Sequence, residues 1–162
     1  MKQWTQALLF GAGLSLVANA VQAKQVVCVF DLVGKNGDVY NLMQDYQLAA
    51  KNWGAEIELR VGQNEGVIAE DFKAGKCDGI SVTGMRGRQF NHFTGSLDAI
   101  GAIPDLKLAV KVMQGLASPA FAKYMRNGQY EVAGVIPVGD AFLMVNDRSI
   151  NSVAKAAGKK IA

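Results

Sequence analysis

The chain has 162 residues, half of them hydrophobic, with 17 Lys+Arg against 14 Asp+Glu and a formal net charge of +3. So apolar a composition excludes a disordered chain, and the scattered basic residues exclude a nucleic-acid-binding stripe, so no nucleic acid is expected among the partners. The length suits one domain of about 100–200 residues.

Met1 and Lys2 make a short basic start. Ala7 to Ala20 is then an uncharged apolar run, interrupted only by small residues such as Ser15 and Asn19. Val21-Gln22-Ala23 puts small or apolar residues where a signal peptidase reads. The pattern predicts a secretory signal peptide over 1–23, cleaved before Lys24, and hence a periplasmic protein. The run is shorter than the roughly 20 apolar residues that cross a bilayer. No later stretch is longer, so the mature chain is not expected to be an integral membrane protein. Export places Cys28 and Cys77 where disulfides persist. Each sits in an apolar, strand-like run, which leaves two readings open. They form a bridge if their strands are neighbours, and two separate buried thiols otherwise.

Val26-Val27-Cys28-Val29-Phe30 is a continuous apolar run of the kind that fills a parallel strand buried on both faces. It ends at Asp31, and the glycine-bearing loop Leu32 to Gly37 follows. Asp38 is placed to cap a helix whose apolar positions are Val39, Leu42, Met43, Tyr46, Ala49, Ala50 and Trp53, with Gly54 as its stop. Ile57, Leu59 and Val61 alternate with Glu56, Glu58 and Arg60, which predicts a strand with one wetter face near a sheet edge. Gln63 to Gly66 is a loop. Val67, Ile68, Ala69 and Phe72 lie on one side of a short helix ending at Gly75, and Cys77 to Thr83 reads as a third strand. Strand and helix alternate, which implies parallel strands with right-handed crossovers. The third strand is expected beside the first.

After Gly84 the pattern becomes mainly helical. Gly87 to His92 is loop or short helix, and Leu97 to Ile103 fits either class. Leu106, Ala109, Val110, Met113 and Leu116 predict a helix after Pro104. Pro119 suits the first turn of another, ending at Gly128. Tyr130 to Val138 and Ala141 to Val145 read as strand, interrupted by Gly139-Asp140. Ser149 can cap a last short helix carrying Ile150 and Val153 and stopped by Gly158, and Ile161-Ala162 opens a further strand. The fold class is therefore α/β, an open and mostly parallel sheet flanked by helices.

In an open parallel sheet a ligand binds beyond the carboxyl ends of the strands. Here those ends bring forward Asp31, Gly34, Lys35 and Asn36 after the first strand, Gly62 to Asn64 after the second, and Thr83, Gly84, Met85, Arg86 and Arg88 after the third. Of these, Asp31, Lys35, Asn36, Thr83, Arg86 and Arg88 are the ones expected to touch a ligand. Two arginines beside a helix start present fork-shaped donors suited to an anion. The other reading makes both arginines solvated loop residues, and Asp31 serves equally as a cap on loop amides. Enzyme signatures are missing. His92 is the one histidine, set among polar and Phe residues, and reads as loop or packing. One His and two distant Cys make no zinc site. There is no G-x-S-x-G, no P-loop, and "DLVGKNGD" lacks dinucleotide-site glycine spacing. Tyr40, Tyr46 and Trp53 fit helix packing. No catalytic residue, metal or cofactor is assigned.

Several passages resemble a known family. "FKAGKCDGISVTG" resembles the helix-to-strand passage of periplasmic solute-binding proteins. "AFLMVNDRSINSVAKAAGKKIA" is similar to their interlobe crossing strand, short helix and next strand. More specifically, the stretch from Met1 through "DLVGKNGDVYNLMQDY" and the passage "RGRQFNHFTGSLDAIGA" resemble the AdeT-type solute-binding proteins, which are related to the TRAP-transporter type. The resemblance implies two α/β lobes joined by crossing strands, with a small anionic or polar solute bound between them. It divides this chain into a signal peptide at 1–23, a first lobe at 24–137, and a crossing strand with the start of a second lobe at 138–162. The chain is therefore expected to be a truncated member, without the second-lobe arginine that clamps a ligand carboxylate in TRAP-type relatives. The implied partners are membrane transporter subunits. The alternative is an accessory role in a resistance-nodulation-division efflux system linked to aminoglycoside resistance.

Overall fold

The computed structural model describes residues 24–99, 101–139 and 144–159. The expected signal peptide, Ala141 to Leu143 of the expected crossing strand, and the strand opening at Ile161 lie outside the described residues.

The first strand, β1 (Gln25–Phe30), is the apolar run and one residue more. It leads through a 3-10 turn at Gly34–Asn36 into α1 (Asp38–Lys51). The second strand, β2, spans Ile57–Gly62, and α2 spans Glu65–Lys73. Asn64 caps α2, its side-chain oxygen accepting from the N–H groups of Gly66 and Val67. This is the sequence signal of a polar residue just ahead of an apolar helical run. The third strand, β3, is Gly79–Ser81.

All three strands are parallel and lie in the order β2-β1-β3. The α/β reading holds, the third strand lies beside the first, and β2 is at an edge. From β1 the chain steps one way to β2 and then back across to β3. Right-handed crossovers therefore place α1 and α2 on opposite faces of the sheet. On the α2 side Cys28, Ile68 and Cys77 are buried, with Val26, Phe30, Phe72, Ile80 and Val82 packed around them. Val29, one residue further along β1, is wholly buried and faces the other way.

A compact helical segment follows. The short helices α3 (Gly84–Gly87) and α4 (His92–Leu97) pack on each other. Then come α5 (Leu106–Leu116), a 3-10 turn at Pro119–Phe121, and α6 (Ala122–Met125). Pro119 stands at the start of its turn, and Asp105 caps α5 by accepting from Leu108 N–H. A hairpin of β4 (Arg126–Asn127) and β5 (Tyr130–Glu131) closes the segment around Gly128, whose φ is +59°. Phe72 of α2, Phe90 and Tyr130 of β5 meet edge to face or tilted at centroid distances of 5.0–5.6 Å, which ties this segment to the sheet.

Five expectations need correction. Asp38 is the first residue of α1 and Gly37 is its cap, because the Asp31 carboxylate already occupies the helix start. Trp53 lies past the end of α1 and is 87 % exposed. The helix after Pro119 ends at Met125 rather than Gly128, since Arg126 and Asn127 turn extended to pair with β5. The strand expected over Tyr130–Val138 pairs only through Glu131; a strand needs a neighbour for its backbone groups, and no ladder continues along residues 132–139. The last helix, α7 (Val153–Ala156), is capped by Ser152, whereas the Ser149 N–H donates to the Asp147 carboxylate.

Candidate functional site at the carboxyl edge of the sheet

In a sheet of order β2-β1-β3 the direction of winding reverses between β1 and β3, and a crevice opens beyond their carboxyl ends. The loops that follow these two strands carry Asp31, Lys35 and Asn36 after β1 and Thr83, Arg86 and Arg88 after β3.

Asp31 is buried, and its carboxylate is already engaged. Oδ1 accepts from Val33 N–H at 2.8 Å and Oδ2 from Tyr40 N–H at 3.1 Å. Burial by itself pushes the Asp31 carboxyl up, but the backbone N–H groups of Tyr40, Val33, Val39 and Gly34 outweigh it and hold the pKa below its ordinary value. Of the two sequence readings of Asp31, the geometry gives the cap. Gly37 has no side chain for the same reason, since a Cβ there would overlap the Asp31 carboxylate. Lys35 and Asn36 are exposed in the 3-10 turn above it. The Gln63 side-chain amide donates to Leu32 O at 2.8 Å and fastens this loop to the end of β2.

The loop after β3 is organised by Glu65, in the first turn of α2. Its carboxylate accepts from Thr83 N–H at 2.6 Å and from the Thr83 hydroxyl at 3.2 Å, and lies 3.8 Å from Arg86 Nε. The Thr83 hydroxyl also accepts from Arg86 N–H and so caps α3. Arg86 is thus held from its Nε side. Arg88 lies against Gly95 of α4, so closely that an added Cβ there would sit 2.5 Å from Arg88 Cδ. Among the described residues Arg88 has no carboxylate partner. Met85, Arg86, Arg88, Gln89 and His92 together line an open hollow of about 440 Å3. His92, expected in a loop or in packing, is the exposed first residue of α4 on its rim.

Three glycines and a threonine hold the arginines in place. An added Cβ at Gly84 would meet Thr94 O at 2.6 Å, and one at Gly87 would meet Thr94 Oγ1 at 3.1 Å. The buried Thr94 hydroxyl bonds to Gly84 O and Asn91 O, both at 2.9 Å. Asp98 reaches back from beyond α4 to accept from Met85 N–H at 3.0 Å. Sequence reasoning missed Glu65, had Gln63 only as a loop residue at a strand end, and missed Asp98. Their partners lie 18, 31 and 13 residues away, and no local pattern announces such a contact.

Cys28 and Cys77 are joined by a disulfide, with Cα atoms 5.9 Å apart, on the α2 side of the sheet and away from the loops just described. Among the described residues no cluster of His, Cys, Asp and Glu could hold a metal ion, and no helix is long and apolar enough to cross a membrane.

The family model described as "Solute-binding protein AdeT 1/2" matches residues 47–162. "Probable solute-binding protein AdeT1" of Acinetobacter baumannii is 56 % identical over 133 residues, which are 82 % of this chain and 44 % of that relative. "Probable solute-binding protein AdeT2" of the same organism is 37 % identical over 67 residues, covering 41 % of this chain and 28 % of the relative. The chain thus spans less than half the length of the curated relatives it matches. No solved structure matches it. With the family model covering most of its length, the chain belongs to the AdeT 1/2 solute-binding protein family.

Proposed function

We propose that this chain is a periplasmic solute-binding protein whose carboxyl-edge loops supply one wall of a site for a small anionic solute, in a TRAP-like transport system. The observation that carries the reading is the hollow at Arg86 and Arg88 beside the reversal point of the sheet. Arg86 and Arg88 both line it, Glu65 faces Arg86 only through Nε, and the Asp98 carboxylate is held by Met85 N–H. Lys35 and Asn36 add a charge and an amide from the loop after β1. Asp31 supports this wall from beneath and is not a contact to solute, because its oxygens are taken by backbone donors. In this reading residues 24–137 form the first lobe and 138–162 lead toward a second, which would close over the solute from the other side. The uncharged run Ala7–Ala20 ending in Val21-Gln22-Ala23 supports export. Transporter subunits in the membrane are the partners this reading requires.

Thermal-shift measurements with mono- and dicarboxylates, phosphate and aminoglycosides test it. Carboxylates are expected to raise the melting temperature, and Arg86→Ala with Arg88→Ala to abolish the rise without unfolding the protein. A charge-assisted hydrogen bond contributes about 1.5–3 kcal/mol, so removing one such bond weakens binding roughly tenfold or more. A response to cationic aminoglycosides alone would favour the efflux-linked role over anion binding.

A further inference from the structure

Most of the outer edge of β2 takes no part in the fold or in the solute site described above. β2 ends the sheet, with β1 on one side and no strand on the other among the described residues. The carbonyls of Glu56 and Gly62 accept from Gln25 N–H and Asp31 N–H of the β1 side. Alternation along a strand therefore turns the backbone groups of Ile57, Leu59 and Val61 outward. The Ile57 carbonyl accepts from the Gln47 side chain at 2.6 Å. No hydrogen bond within the described residues engages the outward groups of Leu59 and Val61.

Bare edges invite pairing, and proteins blunt them with charged side chains, bulges or prolines. This edge has no proline and no bulge, and its charges are of both signs. It has one acid and one base, Glu58 and Arg60, placed symmetrically about Leu59. Such a strand is complementary to its own reverse. If two β2 strands pair antiparallel about a twofold axis at Leu59, each Glu58 stands opposite the second copy's Arg60, and each Ile57 opposite the second copy's Val61. With the Ile57 carbonyls left to Gln47, the outward backbone groups then meet in about four ladder hydrogen bonds. The charged pair lies on the α2 side, where Val26 faces Glu58 and Cys28 faces Arg60 in the sheet register. There a groove between β2 and α2 is lined by Arg60, Gln63, Asn64, Val67 and Asp71, with Lys76 at its side. Within one copy Arg60 already bonds Glu58 through Nε at 2.8 Å and reaches Lys76 O through Nη1 at 3.4 Å, which leaves Nη2 for a second carboxylate.

We propose that β2 is a self-recognition edge, through which two copies of this chain join antiparallel about Leu59 into one continuous sheet. Light scattering of the purified protein over a concentration series tests it. The parent is expected to dimerise. R60E and E58R each set like charges across the axis and are expected to weaken the dimer roughly tenfold or more. An equimolar mixture of the two is expected to restore it, because two acidic side chains then face two basic ones. The combined variant E58R/R60E keeps self-complementarity and is expected to dimerise like the parent, which separates lost pairing from lost folding. A parent that is monomeric at its highest soluble concentration overturns the proposal. So does a dimer indifferent to R60E and E58R, or a failure of both the mixture and the combined variant to associate.

Discussion

Asp31 stands where a buried strand turns into a loop, and its carboxylate replaces the missing cap of α1. Residue type alone left it between ligand contact and backbone cap. What decides is Gly37, which brings the helix start against the carboxylate and has no Cβ to keep it away. The consequence is a pH dependence of defined sign. The folded-state pKa lies below the ordinary value of 3.8. The stabilisation is therefore complete at pH above the unfolded-state value and is lost as pH falls through the folded-state value. Asp31→Asn is expected to melt at a lower temperature than the parent at neutral pH. The gap should narrow as pH falls below the ordinary value of 3.8, and close once the parent's folded-state carboxyl also takes up its proton. Thermal melts of both proteins across that range check this. A gap independent of pH would assign Asp31 to packing alone. Pro119 was plain in the sequence as the opening of a turn, whereas Asn64 reads there only as loop and Asp105 goes unmarked, though they cap α2 and α5. Glu65 was not plain either, because what matters is the carboxylate's reach to Thr83 across the space between α2 and β3.

Among the elements, the strands and the two crossover helices were legible because hydrophobic period and length agree there. An unbroken apolar run gave β1, and alternation gave β2 at the edge. The tight pairing of α3 with α4 was hidden, since it depends on Gly84, Gly87 and Gly95 letting Thr94 and Arg88 approach. The run from Tyr130 to Val138 misled for a physical reason. Strand propensity describes a chain that has a neighbour, and here the hairpin with β4 stops at Glu131. The disulfide joins β1 to the segment leading into β3 across 49 residues of sequence. Closing a loop of that length stabilises a fold by roughly 2–4 kcal/mol. Cys28→Ala with Cys77→Ala is expected to lose about that much in urea unfolding. The far-ultraviolet spectrum should persist, because β1 and β3 are also held by their own ladder. A double variant as stable as the parent would show that the bridge constrains nothing beyond what the ladder already fixes.

At the scale of the whole molecule, sequence patterning specified the α/β class and the carboxyl edge as the place to look. It did not specify which of the six candidates share a function. The structure divides them: Asp31 and Thr83 serve the backbone, Arg86 and Arg88 line a hollow, and Lys35 and Asn36 stand exposed in the loop after β1, outside that hollow's lining. Apolar side chains remain exposed over the same body, among them Leu32 and Val33 in the loop after β1 and Met144 at 87 % exposure. The central claim is that an anion binds between the loops after β1 and β3. Titrating isotope-labelled protein with carboxylates and phosphate, with each amide followed by NMR, tests it most directly. The account predicts saturable shifts concentrated in residues 31–36 and 83–92 and their loss in Arg86→Ala with Arg88→Ala. Saturable shifts centred instead on the groove between β2 and α2, or no saturable shift with any of these anions, would contradict it.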